Sequence, residues 1–409
     1  MMFGGTEILP MRVLILGGAG LMSAGTARDL LSNLSAGVTG IVAADANPER
    51  LAVLKQSLPD SRLQTRVFDV NDHGAIQSLL ADCDVCINGV PTFAGFQMRI
   101  FEACLQAKRP YVDYGGMGVY TVRQKAQHEK WKQAGATAVI GLGSDPGLSN
   151  IICRAVADRL DRIDRIHLYW AATKIGAESP VLVPPYSLST VLAEYGNPSQ
   201  QFLDGKLQEV PAQAGTETID LPQPWGRTTF IHSQHSEPLT VPFSQGIAEK
   251  GIREFTWKLS LPARDHEAWV GLVKAGFGAS DDPVTVKGVS VRPLDVLQAV
   301  IDRNIAKNRS RIPAEESHEI HFAIGQGTRD GKQCRVTCRV IGHPHPLYDG
   351  YADAGTSMNM SIGVQQMLSH PLRPGVWAAE EYFHADAFFA ELRKRHFSIE
   401  IETNTVESA

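Results

Sequence analysis

The sequence predicts an α/β protein, with a doubly wound parallel sheet first and a mixed α+β domain after it. Three observations carry that reading. Short strand-like runs alternate with helical patterns from residue 11 to about residue 142, the order that builds a parallel sheet covered on both faces. A glycine-rich turn, Gly17-Gly-Ala-Gly20, joins the first run to the first helix. Beyond Asn150, prolines, polar turns and alternating patterns replace that texture.

The elements follow in order. Residues 12–16 are apolar after Arg12, as a strand buried on both faces must be, and 23–34 read as a helix with Ala27, Leu30, Leu31 and Leu34 at helical spacing. A second strand over 40–44 ends in Asp45, and a third over 63–68 ends at Asp69-Val70. A helix over 73–80 leads to a fourth strand, 84–88, closed by Gly89-Val-Pro91. Helices over 99–107 and 121–134 bracket a fifth strand, 109–113, and 136–142 is the sixth. Later, 151–160 is helical and 165–171 is a strand. Residues 254–261 and 335–341 alternate as half-exposed strands do. A helix from 354 to about 368, capped by Thr356 or Ser357, precedes a helix over 385–394 and a strand over 397–401.

The expected division is a Rossmann-type dinucleotide-binding domain over 1–145, completed by a helix at about 354–370. Residues 146–353 and 371–409 form the α+β substrate and dimerisation domain.

Composition narrows the function. The 409 residues are 43% apolar and 20% charged, which excludes a disordered chain, a collagen and a coiled coil. A net charge of −5 offers no global positive field for nucleic acid or anionic lipid. No run of about 18 apolar residues is present, so no spanning helix is expected. No basic leader precedes the first strand, so a cytoplasmic protein is expected. Six cysteines are too few for a disulfide scaffold. Cys83 and Cys86 stand three apart on a strand and point to opposite faces, so no metal site is expected there. His343-Pro-His345 has no adjacent carboxylate and is not read as a metal pair either.

The strand–glycine turn–helix context gives Gly18-Ala-Gly20-Leu-Met-Ser23 the form of a dinucleotide fingerprint. Gly18 permits the turn, Gly20 lets the backbone approach a pyrophosphate, and Ser23 is small enough for the helix to pack on the strand. The amides of Ala19, Leu21 and Met22 would meet the phosphates at the positive helix end. Asp45, 22 residues past Ser23 and followed by Ala46, stands where an acidic residue meets the adenosine ribose. Its carboxylate would repel a 2′-phosphate, so NAD is favoured and NADP is the alternative; a cap for the helix at Pro48 is the competing role. Asp69 and Val70 are placed to flank the adenine. Asn88, Gly89, Val90 and Pro91 are placed along the nicotinamide half, beyond the carboxyl ends of parallel strands.

With these residues in hand the chain resembles the saccharopine dehydrogenase family. The resemblance lies in Leu16-Gly-Gly-Ala-Gly20, Tyr111-Val-Asp113 and Gly141-Leu-Gly-Ser-Asp-Pro-Gly-Leu-Ser-Asn150. It continues in Asp204-Gly-Lys206, Val210-Pro211, His235-Ser-Glu237, Thr356-Ser-Met358, Pro374-Gly-Val-Trp377 and Phe389-Ala-Glu-Leu-Arg-Lys-Arg395. It spans nearly the whole chain and is thinnest between residues 262 and 340.

The resemblance implies an NAD(P)-dependent oxidoreductase of carbon–nitrogen bonds, with saccharopine, lysine or a carboxylated polyamine as the substrate class. It also implies a C-terminal helix that returns to the nucleotide-binding domain and a last strand that rejoins the substrate domain. A homodimer is expected, with alternating strands such as 254–261 offering a sheet face. The rival reading is a non-catalytic NAD(P)-binding regulator or scaffold of the same fold.

Hydride transfer to an imine needs a held nicotinamide, a protonated nitrogen and exclusion of water. Asp113, ending the fifth strand, is the candidate to stabilise the iminium charge, against a turn-capping role. Tyr114 is the candidate donor to a substrate oxygen, against simple packing. His235, beside His232 and Glu237, is the candidate acid–base group, since imidazole titrates near neutral pH. Lys174 reads as a solvated loop lysine and Arg393-Lys-Arg395 as a solvated helix end.

Overall fold

A computed structural model describes residues 10–278, 282–313, 316–348 and 354–405. The segment ahead of residue 10, where no leader is expected, lies outside the described residues. Contacts divide the chain into two units: residues 1–158, 239–249 and 344–397, and residues 159–238, 250–343 and 398–409.

The first unit opens with β1 (Met11–Leu16), α1 (Leu21–Leu31), β2 (Val38–Asp45), α2 (Pro48–Ser57) and β3 (Leu63–Val67). It continues through α3 (His73–Ala81), β4 (Val85–Asn88), α4 (Gln97–Ala107) and β5 (Tyr111–Asp113). Then come α5 (Thr121–Lys125), α6 (His128–Gln133), β6 (Thr137–Ile140) and α7 (Leu148–Ala157). Local chemistry sets several starts. Asn47 accepts from the Arg50 amide ahead of Pro48 in α2, and Asp72 accepts from the Ala75 amide in α3. The helix expected over 121–134 is two short helices.

These strands are parallel, in the order β6-β5-β4-β1-β2-β3. The order reverses between β1 and β4, and such a switch point is where a nucleotide binds. Beneath it Phe101 stacks edge-on against Tyr111 and tilts on Trp131, with ring centroids 5.1 and 4.6 Å apart, in a core shared with Leu14 and Leu16.

The second unit holds β7 (Arg162–Ile175), α8 (Leu188–Gly196), β8 (Ser199–Leu203), β9 (Lys206–Val210), β10 (Glu217–Asp220) and β11 (Arg227–His232). After these come β12 (Glu254–Ser260), α9 (Ala263–Lys274), β13 (Val284–Val286), β14 (Val289–Val291) and α10 (Pro293–Asn308). The long hairpin of β15 (Glu316–Arg329) and β16 (Lys332–Gly342) follows. Its main sheet is mixed: β7 pairs parallel with β12 and antiparallel with β15, and β10 and β11 extend it antiparallel. Tyr169, Phe230 and Phe322 pack together on one face, the rings of Tyr169 and Phe322 stacked at 4.6 Å.

The chain then returns to the first unit with α11 (Ala354–Leu368), β17 (Gly375–Ala378), α12 (Ala379–Tyr382) and α13 (Ala385–Arg393). Finally β18 (Phe397–Thr405) joins the second sheet beside β16. The boundary expected at residue 371 therefore moves. Gly375–Ala378 pairs in parallel with Thr137–Ile140, which makes it the seventh strand of the nucleotide-binding sheet. Thr356 and Ser357 lie inside α11 rather than capping it, and the residues just ahead of that helix lie outside the described ones. Gly363 lets α11 close on the sheet, since a Cβ there would stand 2.4 Å from Leu142 Cδ2. Arg395 is fully buried, not a solvated helix end. Lys174 lies on β7, 3.2 Å from Asp265, rather than in a solvated loop. All six cysteines are buried thiols.

Candidate active site

The glycine turn between β1 and α1 is packed tightly from below. Gly17, at φ +72°, carries the turn, and a Cβ on it would stand 2.6 Å from the Gly89 carbonyl. The turn-making role expected of Gly18 thus belongs to Gly17. Gly18 instead lies against β2, where a Cβ would stand 2.7 Å from that of Ala43. Gly89 covers Ser23, whose hydroxyl would lie 2.1 Å from an added Cβ. Gly20 begins α1 with no side chain capping it. The first amides of a helix have no intrahelical partner, so those of Leu21 and Met22 point toward an anion. A cradle of this shape, closed to side chains and lined with amides, fits a dinucleotide pyrophosphate.

Asp45 ends β2 and leans back over the turn. Its Oδ2 accepts from the Ala19 amide at 3.1 Å and its Oδ1 from the Asn47 amide at 3.0 Å. The Ala19 amide is therefore engaged, not bare. Asn47, not Asp45, caps α2. Each carboxylate oxygen keeps a second lone pair for a ribose hydroxyl. Ala46 and Asp69 are exposed and Val70 is half-buried, with Asp69 Oδ1 accepting from both nitrogens of Asn71. At the end of β4, Asn88 is buried. Its Nδ2 donates to the Tyr111 hydroxyl at 3.0 Å and its Oδ1 accepts from the Val90 amide at 3.1 Å. Its side chain is thus spent inside the unit, which leaves Gly89, Val90 and Pro91 to offer backbone beside the turn.

Asp113 changes role. The carboxylate is 1% exposed and receives five donors. Gln97 Nε2, Tyr111 Oη and Gln124 Nε2 donate to Oδ2 at 2.7–2.8 Å. The Gly115 and Gly141 amides donate to Oδ1 at 2.9 and 2.8 Å. A carboxylate offers about four lone-pair sites, so none remains for an iminium. Burial, and then this carboxylate, hold the Tyr111 hydroxyl protonated far above its ordinary range. The Tyr114 hydroxyl lies 2.7 Å from Thr26 Oγ1, which donates to the Ser357 carbonyl at 3.1 Å. Tyr114 thus ties the turn after β5 to α1, and Thr26 ties α1 to α11, so the phenol does not stand clear for a substrate.

His235 belongs to the second unit. Its Nδ1 lies 2.7 Å from Glu237 Oε2, and its ring stacks on Trp257 at 4.0 Å and 8°. The histidine is 6% exposed and the glutamate wholly buried. A carboxylate on Nδ1 favours the tautomer that carries its proton there. Neighbouring His232 differs: burial pushes its pKa down to about 4, so it stays neutral.

Sequence reasoning missed a polar node behind α7. Glu380, 1% exposed, accepts from Asn150 Nδ2 at 2.8 Å, and its Oε1 lies 2.7 Å from Ser244 Oγ. Burial pushes its pKa up to about 7. Nothing local marks this residue, because its partners come from two distant segments of the chain.

Comparison with known proteins agrees with this geometry. The saccharopine dehydrogenase NADP binding domain matches residues 13–139. Carboxynorspermidine synthase of Vibrio alginolyticus is 26% identical over 308 residues, covering 69% of this chain and 68% of that protein. The same enzyme of Vibrio cholerae is 26% identical over 307 residues, covering 68% and 67%. Apo saccharopine dehydrogenase (L-Glu forming) of Saccharomyces cerevisiae shares the fold, with a TM-score of 0.71 at 17% identity over 97% of this chain and all of that one. The glycine cradle fits a dinucleotide pyrophosphate, and the domain matched over these residues is an NADP binding one. The similarity to the saccharopine dehydrogenase family rests on its NADP binding domain, matched over residues 13–139 of the 409.

Proposed function

We propose that the protein is an NAD(P)-dependent oxidoreductase that forms or cleaves a carbon–nitrogen bond in an amino-acid-derived amine, with a carboxylated polyamine as its substrate class. One observation carries the reading. The similarity to the carboxynorspermidine synthases runs over 308 residues, more than the first unit contains, so it reaches into the second unit as well as the cofactor domain.

In this reading the backbone from Gly17 to Met22 holds the pyrophosphate and Asp45 holds the adenosine ribose, favouring NAD. The bound nicotinamide supplies a hydride to an iminium carbon, or takes one back. An amine and a carbonyl group first condense with loss of water, and the imine nitrogen must be protonated before reduction. His235 is the group proposed to hold that proton, with Glu237 fixing the ring. Asp113 and Tyr114 have no acid–base role, since both are committed to internal partners.

The test is a panel followed by nicotinamide absorbance. Carboxylated polyamines, saccharopine and lysine are offered with NAD⁺ or NADP⁺; diamines with amino-acid semialdehydes, and amines with keto acids, are offered with NADH or NADPH. Turnover with the polyamine pair above the others is expected. No absorbance change with any member of the panel removes the proposal.

A further inference from the structure

We propose that Arg395 is a positioning residue for dinucleotide binding, acting through Asp29 on helix α1. The proposal rests on reading the N-terminus of α1 as the pyrophosphate seat.

Arg395 follows α13 and is fully buried, as is Asp29 in the last turn of α1. The pair is bidentate, with Nε donating to Oδ2 at 2.8 Å and Nη2 to Oδ1 at 2.7 Å. Tyr348 Oη donates to Oδ2, and Ser361 Oγ of α11 donates to Oδ1. Ser35 Oγ adds a bond to Oδ1 at 3.1 Å. Asp29 is thus gripped from three segments that lie far from it in the sequence.

The site is a poor one for a carboxylate. It is dry, and it stands at the negative end of a helix. A buried ion pair seldom adds stability over well-packed apolar residues, and its best-attested use is to fix a register. Arg395 answers both costs by placing its charge against the closing turns of α1 and α13, where Nη1 also donates to the Glu391 carbonyl at 3.2 Å.

The grip reaches the other end of the helix. Asp29 lies eight residues beyond Leu21, about 12 Å along a rigid helix. Ser357 Oγ donates to the Met22 carbonyl at 2.9 Å, so α11 also holds the first turn. A planar bidentate pair sets the rotation of α1 about its axis as well as its depth. That rotation aims the Leu21 and Met22 amides. Arg395, well outside the matched domain of residues 13–139, would therefore govern how the pyrophosphate is met.

The experiment uses the full chain, with Arg395→Lys, Arg395→Met and the double variant Asp29→Leu/Arg395→Met. NADH and NADPH affinities are titrated by protein fluorescence, adenosine by competition, and unfolding temperatures are recorded alongside. Arg395→Met is expected to weaken the preferred dinucleotide about tenfold, a loss of roughly 1.4 kcal/mol, while adenosine, which lacks the pyrophosphate, is nearly unaffected. Arg395→Lys should recover only part of that loss. The double variant should regain the unfolding temperature and not the affinity, which separates aim from stability. Full recovery of affinity together with stability overturns the proposal, as does unchanged dinucleotide affinity in Arg395→Met. If the unaltered protein binds neither dinucleotide, the cofactor reading falls and this proposal falls with it.

Discussion

Asp45 and Glu380 show how far one carboxylate's surroundings decide its task. Asp45 is half-buried and already accepts two amides, yet retains lone pairs toward the glycine cradle. Asp45→Ala is expected to weaken NADH binding about tenfold, the worth of hydrogen bonds to a charged acceptor, and to leave NADPH binding nearly unchanged. Equal losses in a side-by-side titration would remove Asp45 from the ribose. Glu380 is sealed from water, so burial favours its neutral form, with a pKa near 7 against an ordinary 4.5. The single hydroxyl proton of Ser244 can serve the Thr240 carbonyl or Glu380, not both, and a protonated Glu380 supplies the second. Below pH 4.5 folded and unfolded chains are alike at this residue. From there to about pH 7 the unfolded chain has lost a proton that the folded one keeps, so stability falls as pH rises. Glu380→Gln keeps the donor and cannot titrate. Its unfolding temperature relative to the unaltered protein is expected to climb across that window, whereas a difference independent of pH would contradict the assignment.

At the scale of elements, Asp113 is the clearest case of a residue whose partners define it. It stands at the end of β5 and collects donors from α4, α5 and the turns after β5 and β6. Four elements are thereby fastened at the carboxyl edge of the sheet, beneath the turn where a nucleotide passes. Asp113→Asn would set an amide donor against donors it cannot satisfy. It is expected to cost about 3 kcal/mol of stability, the price of leaving buried donors unmet. Denaturant titration measures this directly, and a midpoint equal to that of the unaltered protein would return Asp113 to the list of catalytic candidates. The Asn88–Tyr111–Asp113 chain of hydrogen bonds belongs to the same fastening. Asn88 and Asp113, both placed by the sequence toward the nicotinamide, thus hold the strands on which it would lie.

Across the whole molecule, the first unit is assembled from three stretches of chain, and the matched domain of residues 13–139 is only part of it. A fragment of residues 1–158 lacks β17, which pairs along the edge strand β6. It also lacks α11, and leaves Asp29 without Arg395, Tyr348 and Ser361. Such a fragment is expected to unfold without a cooperative transition in near-ultraviolet circular dichroism; a sharp transition would show that the C-terminal return is dispensable for folding. Among the described residues no helix is long and apolar enough to cross a membrane. The second unit carries the His235–Glu237 pair and the mixed sheet, and its polar residues are where substrate choice is proposed to reside.

The sequence alone determined the parallel sheet, the glycine cradle and the acidic end of β2. Each is a demand made by neighbouring residues on one another: an apolar run too short for a helix, a turn that tolerates no side chain, a carboxylate one strand beyond it. Tertiary structure decided which polar groups were free to act. Asp113 looks available in the sequence because the two glutamines and the two amides that fill it stand between 2 and 28 residues away. Arg395 looks solvated because its carboxylate lies 366 residues earlier. Strand and turn formation are local, whereas satisfying a buried charge is settled by whatever the folded chain brings within hydrogen-bond reach.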